Sequence, residues 1–265
     1  MFPQYTWALI AVAAAICALG FYRFVWFMSV GYGLAVAGLG AAMLALGAAA
    51  GKADLCIAVL CVLALVYGVR LGGFLLVREL KNKAYKKVLD AQTAKPVPFP
   101  VKLCMWAFMA VLYTCQVSPV WYRINNVGKG DALAWIGAVI ACLGIVIEGV
   151  SDKQKSASKA KNPGKPAMDG LFKISRCPNY FGEMTFWTGI FVSGLNILKG
   201  GQWAVALIGY VCIIFIMVSG AKRLEKRQNR NYGDDPEYRR YADTTPILLP
   251  FIPVCHLVKD GEDKK

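Results

Sequence analysis

The residues best suited to chemistry fall between Asp169 and Glu183, where the chain reads Asp-Gly-Leu-Phe-Lys-Ile-Ser-Arg-Cys-Pro-Asn-Tyr-Phe-Gly-Glu. Pro178 and Gly182 shape a turn and a helix start, and a helix start exposes backbone N–H groups that favour an anion. Ser175, Arg176, Asn179, Tyr180 and Glu183 place donors, acceptors and a stacking ring within about three helical turns. A ligand carrying phosphates, an amide and hydroxyls would use all of them, whereas a plain interfacial loop needs no such mixture.

Two smaller constellations precede this segment. Glu148 and Asp152 lie four apart, hence on one helix face, where two carboxylates repel unless cations or donors from elsewhere meet them. Lys153 and Lys155 are the nearest such cations, so the pair reads either as a compensated surface or as part of a site. Tyr67 stands three residues before Arg70, and Phe74 and Arg78 continue roughly the same face. Either Arg70 snorkels to lipid phosphate while Tyr67 packs, or the two present a phenol deep in a membrane with a guanidinium nearer its surface.

The elements that position these groups are membrane helices. The chain is 57% hydrophobic with 17% charged residues, and the charges are clumped. Seven mostly apolar runs are visible, approximately Trp7–Tyr22, Phe24–Ala50, Leu55–Val77, Leu103–Trp121, Ala132–Val150, Met184–Leu198 and Trp203–Gly220. About twenty such residues span a hydrocarbon core; the first and sixth runs are shorter. No charged side chain precedes the first run, so it reads as a span and not as a signal peptide. The expectation is an all-α, polytopic bundle of about seven helices, with residues 1–253 forming one membrane domain and 254–265 a flexible tail.

Charge sets the expected orientation. Of thirty Lys and Arg residues, twenty-five fall at Arg23, in 78–102, in 151–183 or after Gly220, against four in the alternate loops. With cytoplasmic loops holding the positive excess, the N-terminus lies outside and the C-terminus inside. The net charge of +14 then reflects topology and anionic membrane lipids, not nucleic acid. A bacterial inner membrane and an endoplasmic reticulum membrane fit equally. Residues 78–102 begin as a basic helical extension and end at Pro96, Pro98 and Pro100; residues 151–168 are expected to form a mobile loop; Gly233 to Pro236 marks a turn between two tail helices. Most of the nine cysteines lie in or beside apolar runs and His256 is the one histidine, so no metal site is expected.

The stretch Gly170–Glu183 resembles the Gly-Leu-Trp-x-x-Ser-Arg-His-Pro-Asn-Tyr-x-Gly-Glu motif of the membrane steroid 5-alpha-reductase-like family, which is related to sterol reductases and isoprenylcysteine methyltransferases. Asp152-Lys-Gln-Lys155 and the tail from Glu225 through Tyr232–Tyr241 to Leu249-Pro250-Phe251 are similar to it as well. The resemblance covers roughly residues 60–253 and is strongest at 148–183 and 222–251. It implies an enzyme that takes NADPH at its cytoplasmic face and reduces the carbon–carbon double bond of an enone, in a lipid-soluble substrate that enters from the bilayer. By the same resemblance Tyr67 hydrogen-bonds the substrate ketone, and Asp152, Asn179, Glu183 and Tyr241 contact cofactor. Arg70, Arg78, Glu148, Lys155, Ser175, Arg176, Tyr180 and Arg223 complete the implied cofactor set.

The chain departs from the family pattern at two places. Cys177 stands where the family has His, and the acidic partner of the catalytic Tyr has no counterpart in the second helix, since Asp54 is expected on the outer side. Two rival readings remain: an S-adenosylmethionine-dependent membrane methyltransferase acting on isoprenylcysteine or phospholipid, which shares Arg-His-Pro-x-Tyr, and a non-enzymatic lipid-binding protein.

Overall fold

The computed structural model describes residues 3–81 and 97–258, and all regular structure among them is helical. The helices are α1 (Thr6–Cys17), α2 (Leu19–Tyr22), α3 (Val30–Ala49), α4 (Leu55–Lys81), α5 (Phe99–Asn126), α6 (Ala132–Lys161), α7 (Pro178–Val192), α8 (Gln202–Tyr232) and α9 (Pro236–Thr244), with 3₁₀ turns at Phe24–Met28 and Gly170–Lys173. Helices α3, α4, α5, α6 and α8 are long and apolar enough to cross a membrane, and the chain is a multi-pass membrane protein. The expected first span is the shorter apolar helix Thr6–Tyr22, and the expected sixth falls on the 15-residue helix Pro178–Val192. The basic extension beyond Lys81 and residues 259–265 of the expected tail lie outside the described residues.

Local chemistry accounts for where the helices differ from the apolar runs. The second run breaks at Ser29, whose side chain bonds back to the Val25 carbonyl, so Phe24–Met28 forms a 3₁₀ turn. The sixth ends early because the Ser193 carbonyl, which would continue the ladder, accepts from Arg123 Nε at 2.6 Å. Residues 151–161, expected in a loop, continue α6, since up to Lys161 the segment is rich in good helix formers and the breakers come only at Asn162, Pro163 and Gly164. Asp54 caps α4 by accepting from Ile57 N at 2.9 Å and also takes Gly130 N at 2.7 Å.

The chain divides into two compact units, Met1–Val139 with Gly189–Tyr210, and Ile140–Thr188 with Val211–Lys265. In the first, α3 and α4 meet backbone to backbone. A Cβ on Gly33 would lie 2.5 Å from Gly72 N, one on Gly40 2.7 Å from Leu65 N, and one on Gly68 would overlap Gly33 O and Ala37 N. Small residues serve this purpose in membranes, where close packing replaces the hydrophobic drive. Gly68→Val should therefore destabilise the first unit by about 1–3 kcal/mol or more. Gly73→Ala, with nothing within 4 Å of its new methyl, should not. Thermal unfolding of the two variants in detergent checks the contrast.

Arg123 is fully buried and engages the Ser193 and Lys129 carbonyls, Asp131 Oδ2 at 3.0 Å and Asn196 Oδ1 at 2.7 Å. A buried guanidinium is tolerated because its donors are met in this way. Partial burial pushes the Asp131 carboxyl up, but hydrogen bonds from Asn196, Ala134 N–H and Arg123, with the Arg123 charge, outweigh it and hold the group down to about 2. A depressed carboxylate stabilises above its unfolded value of about 3.9 and loses that contribution as pH falls through the folded value. Asp131→Asn should thus flatten the stability loss between about pH 4 and pH 2, as read by unfolding midpoints across that range.

Candidate functional site

In the first unit the central group is Tyr67 on α4, fully buried, with its hydroxyl 3.2 Å from that of Tyr32 on α3. Tyr32 packs its ring on Tyr113 of α5 with centroids 5.0 Å apart, and the Tyr113 hydroxyl donates to the Phe27 carbonyl at 2.6 Å. Three phenols are thereby fixed in one apolar interior. Tyr113 is anchored to backbone, Tyr32 is wedged against it, and Tyr67 meets Tyr32. The glycine contacts between α3 and α4 make this possible, because Gly33 lets α3 approach within reach of Tyr67. Arg70 is half-buried one turn further along α4, and the Arg78 guanidinium lies 5.5 Å above the Phe74 ring. The neighbouring Glu79 is buried, accepts from Trp26 Nε1 at 2.9 Å and pairs with Arg23, which ties the Phe24–Met28 turn to the end of α4.

The second unit holds Glu148, Asp152, Lys155, Ser175, Arg176, Asn179, Tyr180, Glu183, Arg223 and Tyr241. Glu148, Asp152 and Glu183 are all buried, which removes the surface-pair reading of the first two. The backbones of α6 and α7 touch here, since a Cβ on Gly182 would lie 2.6 Å from Glu148 N. Lys155 is half-buried and Arg223 exposed. Tyr180 lies against Gly220 of α8, where a methyl would sit 3.4 Å from its ring, and it feels the charges of Glu183, Arg227 and Arg223.

The segment entering α7 is held by its backbone and by side chains that are already engaged. Gly170 takes a positive φ of 63° over Gln154, whose Oε1 accepts from Leu171 N at 2.9 Å. Ser175 Oγ donates to the Leu248 carbonyl at 3.0 Å, and Arg176 N donates to Pro246 O at 2.8 Å. Tyr241 donates to the Phe172 carbonyl at 2.7 Å, and burial raises its phenol, so it remains a neutral donor. Burial likewise pushes the Cys177 thiol up to about 11, which leaves an inert thiol in place of a titrating imidazole. Ser175 and Tyr241 therefore brace the segment.

Arg176 is the informative side chain. Its Nη2 donates to Glu225 Oε1 at 2.7 Å and to the Cys255 carbonyl at 2.6 Å, which fixes the guanidinium plane. Its Nε and Nη1 are buried without a hydrogen-bond partner among the described residues, as is Oδ1 of Asn179 three positions on. Buried polar atoms are rarely left so. Glu225 also accepts from Leu257 N at 2.8 Å, Val258 N at 3.0 Å and His256 Nδ1 at 3.0 Å. Residues 254–258, placed in a flexible tail on sequence grounds, are thus docked by a buried carboxylate that apolar-run analysis passes over.

Among known proteins, the family described as "Protein of unknown function (DUF1295)" matches residues 17–245. Steroid 5-alpha-reductase DET2 of Arabidopsis thaliana is 24% identical over 162 residues, 58% of this chain and 57% of that protein. Steroid 5-alpha-reductase DET2 of Gossypium hirsutum is 25% identical over 176 residues, 63% of each. The chain thus spans about three fifths of the length of the curated relatives it matches. No solved structure matches it.

Proposed function

Because the chain belongs to the DUF1295 family and, by its likeness to the DET2 proteins, is steroid 5-alpha-reductase-like, we propose that it is a membrane oxidoreductase reducing the double bond of an enone lipid or steroid with NADPH. The observation that carries this reading is the pair of donors left on Arg176 together with the acceptor left on Asn179, three residues on. Two N–H groups in a fixed plane suit an anionic or carbonyl oxygen, and an amide oxygen suits an N–H donor. A dinucleotide offers both. The buried carboxylates Asp152 and Glu183 suit its hydroxyls, and Lys155, Arg223 and the exposed Arg227 suit its phosphates. The enone substrate enters from the bilayer, and the Lys/Arg-rich loops and C-terminus face the cytosol of a bacterial inner membrane or the endoplasmic reticulum.

NADPH, when bound, supplies the hydride for the β-carbon of the enone. The protein's task is the oxygen at the other end of the conjugated system, where negative charge grows. Tyr67 directs its hydroxyl to that oxygen; with the Tyr67 proton so engaged, the Tyr32 hydroxyl 3.2 Å away becomes the donor of their shared bond and polarises the O–H that faces substrate. Tyr32 stands in α3, the helix of the second apolar run, where the family resemblance implies an acid. Burial of all three phenols keeps competing water away.

Equilibrium binding to detergent-purified protein tests the reading. NADPH should bind saturably to the wild type and lose at least about tenfold in affinity in Asn179→Ala and Glu183→Ala, while S-adenosylmethionine should not bind. Binding of S-adenosylmethionine alone would replace reduction by methyl transfer.

A further inference from the structure

Gln116 of α5 is a polar group of the first unit that the roles above do not use. It is 3% exposed, and neither its Nε2 nor its Oε1 has a hydrogen-bond partner among the described residues. An unmet primary amide within a helix apolar enough to cross a membrane is costly, because no water is at hand to replace the missing bonds. On the side of α8 the helix is closed, since Gly209 packs so tightly that a Cβ there would lie 2.6 Å from Gln116 N and from Cys115 O. Along α5, Tyr113 precedes Gln116 by three residues, which puts the two on one face, about 4.5 Å apart along the axis. Tyr113 in turn packs on Tyr32, the partner of Tyr67.

We propose that the Gln116 amide binds a hydroxyl group of the lipid substrate, a second oxygen distinct from the carbonyl at Tyr67. An amide donates and accepts at once, and a neutral hydroxyl answers it in both senses. A carboxylate does not fit, because Arg123, two turns along the same stripe, is consumed by Asp131, Asn196 and two carbonyls. That the lipid is an enone rests on the function proposed above; that Gln116 is a ligand site does not.

Thermal unfolding in detergent separates the two. The probes are testosterone, whose hydroxyl lies at the opposite end of the skeleton from its enone, and androst-4-en-3-one, which lacks that hydroxyl. Wild-type protein should bind testosterone about tenfold more tightly, a difference that Gln116→Leu and Gln116→Met abolish without preventing binding of the deoxy steroid. Without ligand, both variants should melt at a higher temperature than wild type, because a buried unmet amide is gone. A preference for the hydroxyl that survives in both variants, or is missing in wild type that binds both steroids, would overturn the inference. If wild type binds neither steroid, the enone reading falls and the unliganded melting temperatures alone decide Gln116. A rise then retains it as a site for another hydroxylated lipid, and a fall shows that the amide already serves the fold.

Discussion

Tyr67→Phe is expected to lower kcat for enone reduction by about 10²–10³-fold, the usual loss when one donor to a developing oxyanion is removed. KM should change little, because a ground-state ketone is a weaker acceptor than the oxygen of the transition state, so the bond matters most where charge is largest. The phenyl ring retains the packing of a side chain that is fully buried, so the protein should remain folded. Tyr32→Phe removes the hydroxyl 3.2 Å behind Tyr67 and should cost about tenfold in kcat, since it weakens polarisation without removing the donor itself. Tyr113→Phe removes the anchor to the Phe27 carbonyl and should affect stability more than turnover. Steady-state rates with NADPH and a steroid enone give all three. If Tyr67→Phe turns over as fast as wild type, Tyr67 is not the donor.

What could be foreseen here follows from period and length. A run of some twenty apolar residues has few alternatives to a membrane helix, and i, i+3 spacing on a helix puts Tyr67 and Arg70 on one face whatever surrounds them. The partner of Tyr67 was not foreseeable in the same way. Gly31 and Gly33 flank Tyr32 and signal close packing, but only the close approaches of Gly33, Gly40 and Gly68 across the α3–α4 interface fix which face of α3 meets α4 and so deliver Tyr32 to Tyr67. Arg123 looked like one of four charges in the loops of the sparsely charged side. Its burial depends on Asp131, Ser193 and Asn196, up to 73 positions away, converging on it. The mixture of polar groups in Ser175–Glu183 stands out in the sequence, yet composition cannot tell which of them brace the segment and which keep an unmet donor or acceptor.

Glu225 shows why that distinction matters, and Glu225→Leu is the second variant with a large expected effect. The carboxylate is 1% exposed and accepts from Arg176, from two backbone N–H groups at Leu257 and Val258, and from His256, whose other ring nitrogen lies 3.1 Å from Asp243 Oδ1. Its removal leaves the Arg176 guanidinium, 2% exposed, without its counterion. Breaking a buried pair from one side costs about 3–5 kcal/mol, because the remaining charge has neither partner nor water. Arg176→Met with Glu225→Leu removes both charges and should recover most of that loss, since apolar replacements of similar size are often neutral. The double variant should nevertheless fail to bind NADPH, because Nε and Nη1 of Arg176 go with the charge. Unfolding and NADPH binding measured on the same preparations therefore separate the two duties of Arg176. A double variant that is restored in stability and still binds would reduce Arg176 to a brace for residues 254–258. Glu225→Leu with unchanged stability would mean that the pair is not buried in the folded protein.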